Sequence, residues 1–101
     1  MHYWVYIVRC SDGSYYTGRT AKNVERRIAE HNLGIGGEYT MKRHPVRLLE
    51  CWRFTNERDA YAAERRIKGW TRAKKEALIA GRFDLLVELS RSKKSKSSSK
   101  P

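Results

Sequence analysis

The chain reads as an α+β domain, a small three-stranded antiparallel sheet flanked by helices in the order β-β-α-β-α-α. Three observations predict it. Two aromatic, β-branched runs lie in residues 3–18, separated by the turn residues Ser11-Asp12-Gly13. A third apolar run spans Val46 to Phe54. Capping residues at Asn23, at Asn56 or Thr55, and at Thr71 each open a stretch of helical period that closes near a glycine.

Tyr3 to Cys10 is the first strand, and Ser14 to Gly18 returns antiparallel to it. A two-residue Asp-Gly loop would pair Cys10 with Tyr15 and send Tyr6 and Tyr16 to opposite faces, because faces alternate along a strand. A three-residue loop, with Gly13 left-handed in a bulge, pairs Val8 with Tyr16 and Tyr6 with Gly18. That register places both tyrosines on one face as diagonal neighbours about 7 Å apart, and it is the register expected here.

Asn23 caps a helix to about Leu33, anchored by Val24 and Ile28 and stopped by Gly34. Residues 34–45 read as a glycine-bearing basic loop, and Val46 to Phe54 as the third strand. The second helix runs through Lys68 to Gly69, and the third from Thr71 to Gly81. Phe83 to Leu89 is apolar enough for a short closing helix. From Ser90 onward serine and lysine dominate, so residues 1–89 are expected to form the domain and 90–101 a disordered tail.

The charge narrows the partners. The 101 residues carry 22 basic and 11 acidic side chains, a net +11; the tail holds five of the basic residues, which leaves +6 on the body. A basic body of this kind expects a polyanion, most commonly nucleic acid. No apolar run approaches the ~18 residues of a membrane span. The N-terminus opens directly into a strand pattern with no leader, so a cytoplasmic monomer is the expectation. Cys10 and Cys51 lie in strands without a C-x-x-C pattern and read as free thiols.

Several residues could carry chemistry, and each has an ordinary alternative. Tyr6 and Tyr16 would serve as well as packed sheet aromatics. Arg27 and His31 share a helical face at i,i+4, where a guanidinium can grip phosphate oxygens and an imidazole can move protons. In so basic a chain such a pair also fits a solvated face. Glu64 shares the inward-leaning stripe of the second helix with Ala60 and Ile67. It needs either a basic partner such as Arg65 or Lys68, or a cation such as Mg²⁺. Lys42, Arg43, Lys74 and Lys75 read equally as solvated charge or as phosphate contacts.

Taken together, order and spacing resemble a known family. Trp4-Val5-Tyr6 and Tyr16-Thr17-Gly18, with nine residues between the two triplets, resemble the paired motifs of the GIY-YIG nuclease superfamily. The chain is most similar in plan to its small stand-alone bacterial members, the UPF0213-like subgroup. Lys22 to Ile28 with His31 looks like that family's arginine-bearing helix, and Ala63 to Lys68 like its metal-binding glutamate helix. Thr71 to Ile79 resembles the segment that follows. Trp4 and Thr17 depart from the glycine and isoleucine of the family name. An asparagine that some larger members carry in the site has no counterpart, since asparagine occurs only at 23, 32 and 56.

The resemblance implies a metal-dependent endonuclease acting on nucleic-acid phosphodiesters, DNA foremost, with low sequence specificity. It implies one Mg²⁺ or Mn²⁺ on Glu64 and a general base in Tyr6, its hydroxyl acidified by nearby cations. Tyr16 would orient water or phosphate, Arg27 would stabilise the transition state, and His31 would move protons. Gly18 would let substrate approach, with Lys42, Arg43 and Lys68 on the phosphates. Two rivals share the charge and fold: a non-catalytic nucleic-acid-binding module and a ribosome-associated RNA binder.

Overall fold

The computed structural model describes residues 2–89. The expected tail falls outside the described residues. The fold is the expected α+β sheet-and-helix arrangement, and the chain divides into two compact units, Met1–Gly69 and Trp70–Pro101.

In the first unit, β1 (Tyr3–Arg9) and β2 (Tyr15–Thr20) form the hairpin, and β3 (Arg47–Phe54) pairs with the other edge of β1 to give the order β2-β1-β3. The bulged register holds: Tyr6 faces Gly18 and Val8 faces Tyr16. Gly13 adopts φ +86°, a conformation that costs glycine little. Its N–H donates to Cys10 O at 2.9 Å, while the Cys10 N–H donates to Ser14 O at 2.8 Å. Asp12 Oδ1 accepts from the Ser14 N–H at 3.0 Å and from its hydroxyl at 2.6 Å, which closes the turn.

The two sheet faces have different covers. Tyr6 and Val8 face α1 (Val24–Asn32), where they cluster with Cys10, Val24 and Val46, and Tyr16 and Ile28 pack against that cluster. Val5, Ile7 and Thr17 alternate to the opposite face and are buried. On that side Arg19 reaches α3 (Glu57–Lys68). Asn23 caps α1 by accepting the Arg26 N–H at 3.1 Å, and Asn56 caps α3 by accepting the Asp59 N–H at 2.8 Å. At the end of α1, Asn32 brackets Val46: its Oδ1 accepts the Val46 N–H at 2.6 Å and its Nδ2 donates to the Val46 carbonyl at 3.2 Å. This clamp aims the chain into β3. β3 slips by one residue between Ile7 and Val8, so its ladder is locally interrupted.

One expectation needs correction. Residues 34–45 are not wholly loop, since Glu38–Met41 forms a one-turn helix, α2. Its hydrogen bonds are too few to leave a periodic signature, and its position comes from side-chain contacts to α1 and the hairpin.

In the second unit Thr71 caps α4 (Arg72–Ile79) by accepting the Lys74 N–H at 3.3 Å. A further helical segment covers residues 83–89, as the apolar run there suggests. Among the described residues no helix is long and apolar enough to cross a membrane. Cys10 and Cys51 are free thiols, as expected.

Candidate active site

The hairpin register puts Tyr6 and Tyr16 on the α1 side of the sheet, and His31 on α1 comes down between them. The His31 ring meets Tyr6 edge-on at 5.8 Å and Tyr16 edge-on at 5.7 Å between centroids. His31 is 0% exposed and Tyr6 1%. The solvated face that the i,i+4 pair of Arg27 and His31 also fitted does not hold for His31, which is buried. The tyrosines and α2 cover it, and neither cover is visible in the helix's own sequence.

Every polar atom of that histidine is engaged. The Tyr6 hydroxyl lies 2.9 Å from His31 Nε2, and Thr40 Oγ1 on α2 lies 2.6 Å from Nδ1. Burial, and then the neighbouring Arg27 charge, pull the His31 pKa below its usual value, so the ring is neutral at physiological pH. Gly36 is required here, because a Cβ on it would overlap the His31 ring. Gly18 has a related role: a Cβ there would strike the Tyr6 hydroxyl and ring. The space above Gly18 is thus taken by the Tyr6 ring and hydroxyl.

A second correction concerns Tyr6 itself. Its pKa is pushed up to about 12, not down. Loss of solvent around the phenolate dominates, and the favourable influence of the Arg27 guanidinium offsets only part of it. Tyr6 is therefore a neutral phenol whose hydroxyl lies 2.9 Å from the imidazole Nε2 of His31.

Arg27 also donates from Nη1 to Glu30 Oε1 and from Nη2 to the Gly36 carbonyl, both at 2.8 Å. Glu30 takes Lys22 Nζ as well, at 2.9 Å. The hydrogen bonds from Lys22 and Arg27 hold the Glu30 carboxyl down at about 2.

Glu64 enters from the other side. Arg19 pairs with Val5 in the ladder and so alternates away from Tyr6 and Gly18. Its Nε donates to Glu64 Oε1 at 3.0 Å, and its Nη1 to Glu57 Oε2 at 3.1 Å. The second carboxylate oxygen takes Lys68 Nζ at 3.2 Å, and that ammonium also stands 5.7 Å from the Tyr16 ring centre. Lys68 thus links Glu64, around the β2 edge, to the tyrosine face. The Glu64 side chain is 12% exposed and both its oxygens are paired.

Sequence reasoning put Tyr6, Tyr16, Arg27, His31 and Glu64 in one site, with Lys68 on the phosphates, whereas the structure groups the first four and sets Glu64 and Lys68 at their edge. Sequence reasoning missed Arg19, Glu30, Gly36 and Thr40. Arg19 follows the second triplet directly, but its partner lies 45 positions away and no local pattern reports it. Lys42 is exposed at the end of α2. Arg43 is tied up structurally: Nε donates to Asp12 Oδ2 at 3.0 Å and Nη1 to the Tyr39 carbonyl at 3.1 Å. Its guanidinium covers the Tyr39 ring at 4.0 Å, and Tyr39 in turn stacks on Tyr16 at 5.6 Å. Arg43 therefore braces the hairpin turn and the tyrosine stack, which fits poorly with a free phosphate contact.

Among the described residues no group of three or more His, Cys, Asp or Glu converges on one point. The donor chemistry at Glu64 nonetheless suits a hard cation such as Mg²⁺. That ion takes one or two carboxylates and fills its remaining positions with water and substrate phosphate.

Comparison with known proteins shows the family and the fold. The family model described as GIY-YIG catalytic domain matches residues 2–77. A UPF0213 protein of Halobacterium salinarum is 51% identical over 79 residues, covering 78% of this chain and 100% of its own length. Two solution NMR structures share the fold. The UPF0213 protein BH0048 from Bacillus halodurans has a TM-score of 0.52 at 44% identity, covering 79% of this chain and 84% of that one. The protein EF2693 from E. faecalis has a TM-score of 0.56 at 36% identity, covering 84% of this chain and 88% of that one.

Proposed function

The chain belongs to the GIY-YIG catalytic domain family, and from that premise we propose that it is a divalent-metal-dependent endonuclease acting on nucleic-acid phosphodiesters, most readily DNA. The single observation that carries the reading is the buried contact of 2.9 Å between the Tyr6 hydroxyl and His31 Nε2. A phenol whose pKa stands near 12 is a poor base on its own. Coupled to a neutral imidazole it becomes a relay. Tyr6 accepts a proton from the attacking water as its own proton passes to Nε2, and the hydroxide forms a bond to phosphorus. The bond to the 3′-oxygen then breaks, and that oxygen takes a proton from solvent, leaving 5′-phosphate and 3′-hydroxyl ends.

Arg27 supports charge on the phosphate oxygens in the transition state, turning from Glu30 to do so. Tyr16, braced by Tyr39, orients the water or a phosphate oxygen. Glu64 would hold Mg²⁺ or Mn²⁺ after Lys68 releases Oε2. The ion's chemical contribution is Lewis-acid stabilisation of charge on the phosphate and on the departing oxygen. Lys68 and Lys42 supply non-specific attraction to phosphates, consistent with the +11 charge. Among the described residues this reading assigns no groove-reading helix, so specificity for sequence is expected to be low.

The test is a panel of single-stranded, duplex and branched DNA and RNA, incubated with and without Mg²⁺ or Mn²⁺. Cleavage of at least one substrate is expected, abolished by Glu64→Ala and Tyr6→Phe with binding nearly intact. Binding without cleavage of any substrate would favour the non-catalytic module. Co-sedimentation with ribosomes, indifferent to both substitutions, would favour the RNA binder.

A further inference from the structure

We propose that Thr40 is a positioning residue that fixes the proton of His31 on Nδ1, leaving Nε2 as the acceptor for the Tyr6 proton. The inference rests on the relay reading above for its catalytic meaning, but the proton's location follows from the hydrogen-bond chain itself. The Thr40 hydroxyl donates to the Gly37 carbonyl, a long contact at 3.4 Å, and a carbonyl only accepts. The Thr40 oxygen, 2.6 Å from Nδ1, therefore takes the ring proton there. That leaves Nε2 bare to accept from the Tyr6 hydroxyl at 2.9 Å.

The opposite polarity would have Thr40 donate to Nδ1 and desert the Gly37 carbonyl. Thr40 can reach the ring because Gly36 passes directly over it, a spacing that no side chain at 36 allows. The groups facing His31 are Tyr6, Tyr16, Arg27, Glu30 and Thr40. Of these Thr40 alone touches Nδ1.

The experiment uses the full chain labelled with ¹⁵N-histidine and a two-bond ¹H–¹⁵N spectrum near pH 8, with His31→Gln identifying the His31 signals. Wild type and Thr40→Ser are expected to show a protonated Nδ1 and a bare Nε2. Thr40→Val, similar in shape but without the hydroxyl, should show a mixed or reversed tautomer. In cleavage its kcat should fall about tenfold or more with KM little changed, and Thr40→Ser should recover most of it. A wild-type ring protonated on Nε2, or a Thr40→Val ring still wholly protonated on Nδ1, overturns the proposal. If Thr40→Val does not fold, the wild-type and Thr40→Ser tautomers decide it. A wild type that cuts nothing yet shows this tautomer overturns the nuclease reading alone.

Discussion

Lys68 Nζ stands 3.2 Å from Glu64 Oε2, one helical turn away on α3, and occupies the carboxylate oxygen that a divalent ion would need. The expected metal ligand is thus already neutralised from two directions, because Arg19 holds the other oxygen. Arg27 is held in the same way by Glu30. In the proposed reaction substrate and metal would exchange partners with these residues, and binding of either is expected to be coupled to that exchange.

The first prediction concerns this competition. Lys68→Met frees Oε2 and should tighten Mn²⁺ binding, read as paramagnetic broadening of the Glu64 amide at lower Mn²⁺ than wild type needs. Glu64→Gln should abolish the broadening. Equal broadening in wild type and Glu64→Gln would place the ion elsewhere.

Tyr6 carries a second prediction. Its pKa is raised by burial to about 12, so above pH 10 the unfolded chain loses a proton that the folded chain keeps. Stability therefore falls as pH rises through that window, by roughly 3 kcal/mol once both states are ionised. Tyr6→Phe should flatten this fall in urea titrations while lowering cleavage by about 10²-fold or more. A fall of the same steepness in both proteins would assign it to other groups.

His31 sets the acid limb. Its pKa is lowered by burial and by Arg27, and the relay needs the neutral ring. Cleavage should stay flat as pH drops to the usual histidine range and decline only below it. The unfolded chain binds the proton first, so stability is also lost as pH falls below the unfolded value. In a stability profile His31→Gln should remove that contribution. An acid limb centred above the usual histidine pKa would contradict the assignment.

Thr17 is buried with its hydroxyl unpartnered, on the face away from the relay. Thr17→Val keeps the shape and removes an unsatisfied oxygen, which should raise stability by about 1 kcal/mol. Thermal or urea unfolding measures it, and cleavage should be unchanged. A destabilised variant would mean that the hydroxyl has a partner in solution.

Gly18→Ala should harm both fold and activity, since the new methyl collides with the Tyr6 ring. A loss of about 1–3 kcal/mol is expected for such overpacking. A double variant with Tyr6→Leu should regain much of the stability without regaining cleavage. Full activity in Gly18→Ala alone would show that the ring can move freely.

The architecture was largely legible because its signals are local. The Ser11-Asp12-Gly13 turn admits a left-handed residue at 13, and of the two loops it allows, the three-residue one sets the register of both tyrosines. Asn23, Asn56 and Thr71 marked three helix starts by the chemistry of their side chains. α2 was not legible, as one turn of helix carries no period and is held by what surrounds it.

The sequence by itself determined the strands, the caps, the tyrosine face and the family, since each depends on neighbours a few positions apart or on spacing. Tertiary structure alone decided the state of the chemistry. It buried His31 between two strand tyrosines and a threonine from α2, and it raised the Tyr6 pKa where nearby cations promised the reverse. It also brought Glu64 to Arg19 across 45 positions. Desolvation and long-range pairing depend on what the whole fold packs around a group, and no window of sequence contains that information.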